Sequence, residues 1–251
     1  IIDNKSTDSS YEKLKKRFPS LKVIQSEANR GYASGHKIGV EYALNKKFKF
    51  IWVLNNDLIV RENSLSELLN AFRIYGLGVF GSITLKSENP DIINFGGGRI
   101  SNIYDSLDYN KFEGYTLKEY NAEVGLREVQ SIEGSSFIVP AEVIEKYGFL
   151  REDFFMYGEE TDYCFRLNKQ GIKSYVVPSS IVVHKGAESL KDKKYLEKYY
   201  RRRNFLYFEK SHYGISIIKN ISRKVGIINS FKYFLSYYIQ LKTKDDLYYQ
   251  N

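Results

Sequence analysis

Residues 48–60 read FKFIWVLNNDLIV. Phe50, Ile51, Trp52, Val53 and Leu54 make a short, wholly apolar run, the pattern of a strand buried on both faces of a sheet, and such strands belong mostly to α/β folds. Two amides and a carboxylate, Asn55, Asn56 and Asp57, end the run before Leu58, Ile59 and Val60 resume it. In an open parallel sheet ligands bind beyond the carboxyl ends of strands, and Asp57 falls at such an end. An acid there holds a divalent cation, supports the start of a helix near Asn63, or simply faces water. One carboxylate does not decide among these.

On either side of this run, strand-like and helix-like segments alternate. Ile1 and Ile2 read as the end of a strand, SSYEKLKKRF as a helix, LKVIQS as a strand, and ASGHKIGVEYALNKK as a helix with Ile38, Tyr42 and Leu44 turned inward. SLSELLNAFRIYG follows as a helix capped by Asn63 or Ser64, and LGVFGSITL as a strand. This order predicts a mostly parallel sheet with helices on both faces. Residues 87–130 break the pattern with turn formers and loose alternation, which predicts hairpins or long loops beside the sheet. Order returns with the strand SSFIVP, the helix AEVIEKYG, the loop FLREDFFMYG, the helix EETDYCFRLNKQG and two strands in KSYVVP and SIVVH. From about Lys191 the reading is helical. Because IIDN reads as a strand already under way, a preceding piece of chain is expected.

The net charge of +8 suggests a nucleic-acid binder until its distribution is examined. Residues 1–184 hold 23 basic and 24 acidic side chains, whereas residues 185–251 hold 15 and 6. The basicity therefore belongs to the C-terminal region, where YLEKYYRRRNFLYFEK mixes it with aromatics in a way that suits an anionic membrane surface. No nucleic-acid partner is expected. No run of about 18 apolar residues is present to span a bilayer. A single cysteine excludes an internal disulfide, and Cys164 reads as a small core residue.

Other strand ends join Asp57. Asp3 closes the first strand, His184 closes a late one, and NRGYASGH is a glycine loop opening a helix, whose backbone N–H groups suit a phosphate. These features converge on one rim.

Together the stretches resemble family 2 glycosyltransferases of the GT-A type, in particular the bacterial rhamnosyltransferase-like branch. DNKSTDSS is similar to the family's DNxSxD stretch, which implies a contact from Asp3 to the nucleotide. NRGYASGH resembles its NxGxxxGxN loop, implying that Asn29, Gly31 and Gly35 line the nucleotide, with His36 departing from the usual Asn. LNND stands in the place of the DxD motif: Asp57 matches the metal-binding acid, and Asn55 and Asn56 fall beside the donor. FFMYGEETDYCFR resembles the FFxYxEDxDxxxR stretch and HKGAES the late HxxxxS stretch, which implies His184 as a second metal ligand.

The chemistry of an inverting transfer asks for such groups. The departing nucleoside diphosphate develops charge that Mg²⁺ or Mn²⁺, held through oxygen-rich ligands, neutralises. The acceptor hydroxyl must lose a proton to a carboxylate on the other side of the sugar. The resemblance gives that role to Glu160, with Glu159 and Asp162 beside it. The plainer readings are acids favoured in a first helical turn and an i,i+4 pair of Asp162 with Arg166. Gly134 and Ser135 of EGSSFIVP match the acceptor side, or else allow close strand packing. Arg203 matches a diphosphate contact, or else belongs to a basic helix face.

The expectation is thus an α/β, GT-A-like (Rossmann-like) domain over residues 1–190 and a basic, aromatic helical region over 191–251. Its partners would be a nucleoside-diphosphate sugar donor, a glycan or lipid-linked acceptor, and, through the C-terminal region, the inner face of the cell membrane. The alternatives are a nucleotidyltransferase and a non-catalytic nucleotide-sugar-binding module of the same fold.

Overall fold

A computed structural model describes residues 1–100, 108–110, 112–123, 126–185 and 194–213. The apolar run of the opening stretch forms β3 (Phe50–Leu54). Its side chains alternate between two cores. Ile51 and Val53 enter the larger one, and Phe50 and Trp52 pack against the other. β3 is an edge strand of a seven-stranded sheet, and only one of its faces is fully buried, not both: Ile51 and Val53 are buried, whereas Phe50, Trp52 and Leu54 are half-buried.

The sheet runs β3, β10 (Ser136–Pro140), β5 (Gly78–Lys86), β11 (Lys173–His184), β4 (Leu58–Val60), with β6 (Asn89–Phe95) paired to β5 and β9 (Arg127–Val129) to β11. β5 and β11 pair in parallel, and β10 is antiparallel to both β3 and β5, which leaves β3, β5 and β11 pointing the same way. The alternation of strand and helix produced that shared direction. The sheet as a whole is mixed, because β4, β6, β9 and β10 are added antiparallel. A separate parallel pair, β1 (Ile2–Asp3) with β2 (Ile24–Gln25), lies against α2 (Tyr32–Asn45), and β7 (Gly98–Ile100) pairs with β8 (Asp108–Asn110) in the inserted region.

Helices cover both faces, as the strand pattern requires. α2, α5 (Ala141–Tyr147) and α6 (Glu159–Asn168) pack on one side through Val40, Val143, Ile144, Tyr163 and Leu167. α3 (Ser64–Tyr75) packs on the other through Leu68 and Ala71. The Ser64 hydroxyl donates to the carbonyl of Ile181 at 2.7 Å, so it ties α3 to the sheet and does not cap its own helix. On α2 the fully buried positions are Ala33, Gly35 and Val40, whereas Ile38, Tyr42 and Leu44 are only half-buried.

The two strands read in KSYVVP and SIVVH are one, β11, with a register shift between Val177 and Ile181. Pro178 lacks the N–H that an unbroken ladder would need there. α7 (Lys194–Tyr213) is docked on the domain: Phe205, Leu206 and Phe208 form a third core with Phe154, and Tyr199 and Tyr200 are also buried. The aromatics of YLEKYYRRRNFLYFEK are therefore packing residues for the most part. Residues 214–251 and the expected boundary at 190 lie outside the described residues.

Candidate active site

The turn after β3 carries Asp57 to the end of β11. β4 pairs with β11 in the register His184↔Leu58, and the Lys185 amide donates to the Asp57 carbonyl at 3.1 Å. This backbone bond sets His184 Nε2 3.2 Å from Asp57 Oδ1. The other ring nitrogen, Nδ1, lies 3.2 Å from Glu133 Oε1. Held between two carboxylates, the imidazole has its pKa raised, by the Glu133 contact first, against the opposing effect of burial. Asp57 Oδ1 and Glu133 Oε2 are buried without a hydrogen bond of good geometry. Glu133, which the sequence did not single out, thus belongs to the cluster.

Glu133 precedes Gly134 and Ser135 at the entry to β10. The Ser135 carbonyl accepts the Asn55 amide at 2.9 Å, and the Gly134 carbonyl accepts a hydrogen bond from the Tyr32 hydroxyl. A Cβ on Gly134 would stand 3.0 Å from that hydroxyl, so the glycine permits the contact. Asn55 is half-buried and Asn56 exposed on the same turn. The Ser135 hydroxyl is buried without a partner.

Tyr32 joins this seam to the acids of α6. Its pKa is pushed well up, by burial first and then by the charges of Glu160, Glu159 and Glu133. Its amide donates at 2.7 Å to the carbonyl of Phe155, in the loop that leads to Glu159. Gly31, at φ 94°, allows this approach: a Cβ there would meet the Phe155 carbonyl oxygen at 2.2 Å. The first glycine of NRGYASGH is therefore required by the protein's own backbone. The Asn29 side chain accepts from the Gly31 amide and from Asn4 Nδ2, both at 3.1 Å. Asn4 also donates to the Gly31 carbonyl at 3.0 Å, so it stitches β1 to this loop, and Gly35 lies over its side chain. Asp3 is buried; burial raises its pKa, but hydrogen bonds from Ser6 and Gln25 prevail and hold it below the usual range. His36 stacks edge-on to Tyr32 at 4.3 Å, and burial lowers its pKa to about 4.

At the start of α6 the acids part company. Glu159 is 3 % exposed with Oε2 unpartnered, and burial lifts its pKa to about 7 against the nearby Arg203 charge. Glu160 is half-buried beside it. Asp162 is turned away into structural bonds. Its oxygens contact Arg166 Nε and His212 Nε2, each at 2.7 Å, so the i,i+4 reading describes it and a place on the rim does not. Arg203 likewise gives Nη2 to the carbonyls of Asp153 and Phe154, at 2.6 and 2.5 Å, and Nε to Asn204. It fastens the loop before α6. Among the described residues, no group of three or more His, Cys, Asp or Glu forms a ready metal cage.

The model of Glycosyl transferase family 2 matches residues 1–127, which include Asp3, the Asn29–Gly35 loop and Asp57 but stop short of Glu133, Glu160 and His184. The chain is 27 % identical over 173 residues to the low-salt glycan biosynthesis hexosyltransferase Agl10 of Haloferax volcanii, covering 68 % of this chain and 53 % of that protein. It is 25 % identical over 233 residues to the dTDP-rhamnosyl transferase RfbF of Shigella flexneri, covering 84 % and 71 %. To the N-acetylglucosaminyl-diphospho-decaprenol L-rhamnosyltransferase of Mycobacterium tuberculosis it is 27 % identical over 207 residues, covering 75 % and 66 %. It spans about half the length of the first of these. The crystal structure of GalNAc-T7 with UDP, GalNAc and Mn²⁺ superposes with a TM-score of 0.60 at 17 % identity, over 94 % of this chain and 50 % of that one. That likeness identifies the fold as GT-A.

Proposed function

The chain belongs to glycosyl transferase family 2, and on that premise we propose that it moves a sugar from a nucleoside-diphosphate sugar to a hydroxyl of a glycan or lipid-linked acceptor, with inversion at the anomeric carbon. The observation that carries the reading is the union of two acidic groups across one seam. Asp57 with His184 stands at the strand ends, Glu159 with Glu160 opens α6, and Tyr32 and Gly134 join them. The names of the relatives support a hexosyl or rhamnosyl donor, and one of them names a lipid-linked acceptor.

Asp57 Oδ1 and His184 Nε2 fit a divalent cation, because the buried Oδ1 has no hydrogen bond of good geometry to give up and an oxygen-nitrogen pair suits Mn²⁺ or Mg²⁺. A cation bound there neutralises the charge that develops on the departing diphosphate. The Mn²⁺ and UDP named with the GalNAc-T7 structure are in keeping with this assignment.

The proton of the acceptor hydroxyl goes to Glu160. Glu159 has no exposed surface at its free oxygen, whereas Glu160 is accessible one residue on and lies at a helix N-terminus that favours its ionised form. We place the enzyme in the cytoplasm at the inner face of the membrane, on the strength of the basic C-terminal region and a lipid-linked acceptor.

Incubation with a panel of nucleotide sugars and Mn²⁺ tests the proposal. Consumption of one donor with release of a nucleoside diphosphate is the expected result. Release of a sugar 1-phosphate would indicate nucleotidyl transfer, and saturable binding without turnover a binding module.

A further inference from the structure

We infer that Glu133 is a positioning residue that fixes the tautomer and direction of the His184 ring, so that the lone pair of Nε2 points at Asp57 and a cation bound there. The inference rests on the metal reading above and extends it to a residue 51 positions away in sequence from the histidine. His184 is 13 % exposed, with one ring nitrogen 3.2 Å from each carboxylate. Both acids are anchored from the backbone. Asp57 is held through its carbonyl by Lys185, and the segment after Glu133 is held by the bond from the Asn55 amide to the Ser135 carbonyl.

A neutral imidazole has one N–H and one lone pair. With Nδ1–H donated to Glu133, Nε2 is left as the acceptor. The reverse tautomer would point a hydrogen at Asp57 and close the site to a cation. A carboxylate behind a metal-ligating histidine does this orienting work generally, and its loss costs about 10- to 100-fold in metal affinity. Glu133 Oε1 supplies that function, while its Oε2 is buried without a partner, so no competing bond pulls the carboxylate away.

Mn²⁺ binding followed by electron paramagnetic resonance in the presence of UDP, for the wild type, Glu133→Ala, Glu133→Gln and His184→Ala, tests the assignment. Glu133→Ala is expected to weaken Mn²⁺ by about 10- to 100-fold, and Glu133→Gln to recover much of the loss because its amide oxygen still accepts from Nδ1–H. Long-range ¹H–¹⁵N spectra of the metal-free protein at a pH where the ring is neutral read the tautomer directly. The three histidines of the chain make assignment practical. His184 is expected as Nδ1–H in the wild type and as Nε2–H in Glu133→Ala. Glu133→Asp, which withdraws the carboxylate by one methylene, is expected to show the same change and serves if the alanine variant does not fold. If His184→Ala binds Mn²⁺ as the wild type does, the metal reading fails. If His184→Ala is weakened but the Glu133 variants leave affinity and tautomer unchanged, only the role of Glu133 is overturned.

Discussion

Asn204 donates its side-chain amide to the carbonyl oxygen of Tyr157 at 2.6 Å, the residue two before Glu159. The same nitrogen reaches the carbonyls of Phe154 and Met156 at 3.0 and 2.7 Å. The loop it gathers is conformationally costly: Phe155 and Tyr157 have φ of 66° and 69°, a region that L residues other than glycine adopt at about 1–2 kcal/mol each. α7 therefore holds the acids of α6 in place from behind. Asn204→Ala removes the side-chain donor of the part-buried Met156 and Tyr157 carbonyls, which is expected to cost about 1–3 kcal/mol. Urea denaturation measures that loss, and a fall in transfer rate beyond the change in folded fraction would show that the loop has moved.

At the other end of the seam, Asp57→Asn keeps the shape of the side chain and removes its charge. Affinity for UDP in the presence of Mn²⁺ is expected to fall by about tenfold or more, and affinity in the presence of chelator to stay as it was. Isothermal titration with and without metal separates the two. Equal Mn²⁺ dependence in both proteins would reduce Asp57 to a strand-end acid.

Glu159 links pH to stability. Its folded pKa is about 7, raised above the value of 4.5 that it has when solvated, chiefly by burial. The folded state therefore binds the proton more tightly than the unfolded one. This contribution is fully present below about pH 4.5 and is lost as pH rises through 7. Glu159→Gln, which stays neutral, should be more stable than the wild type at pH 8, by on the order of 1 kcal/mol or more, with the difference closing toward pH 4. Thermal melts of both proteins across that range check the sign.

What the sequence disclosed and what it hid divide along physical lines. The apolar run Phe50–Leu54 and the polar Asn55–Asp57 after it are local signals, and the strand, its end and the acid all lie where they indicated. On α2, Leu44 packs against the core as its periodicity indicates, but the closest approaches are made at Gly35 and Gly39: a Cβ on Gly39 would stand 3.2 Å from Ile2. Hydrophobic periodicity registers large apolar side chains and passes over small ones that allow backbones to approach. The pairing of Glu133 with His184 has no local signal at all, since a single Glu before a strand is common and the contact is made by register between distant strands. The bonds of Asn204 likewise carry no local signal, because the carbonyls that accept them lie 47 to 50 residues away in sequence.

The basic C-terminal region is expected to bind anionic membranes, with residues 214–251 carrying six basic side chains against two acidic ones. Each basic residue near such a surface contributes about 1 kcal/mol. Because α7 supports the loop before α6, the informative truncation falls after Tyr213 and leaves Asn204 in place. Sedimentation with phosphatidylserine vesicles should retain the longer protein and release the shorter one. Equal sedimentation would exclude this region as the membrane contact.

Glu160→Gln bears most directly on catalysis. The carboxylate stands in the first turn of α6, half-buried, near enough to Tyr32 for its charge to raise the phenol pKa. The amide keeps its size and hydrogen bonding but no longer takes a proton. Donor and Mn²⁺ binding are therefore expected to survive, while transfer falls by about 10² to 10⁴, the usual contribution of a general base. Glu159→Gln is the control from the neighbouring position. Buried and with its free oxygen covered, it is expected to lower transfer less, and chiefly by altering the loop. Transfer measured at saturating donor distinguishes the two. Near-normal turnover in Glu160→Gln would reject the assignment, and a severe loss confined to Glu159→Gln would mean that the buried acid becomes exposed when the acceptor binds and takes the proton itself.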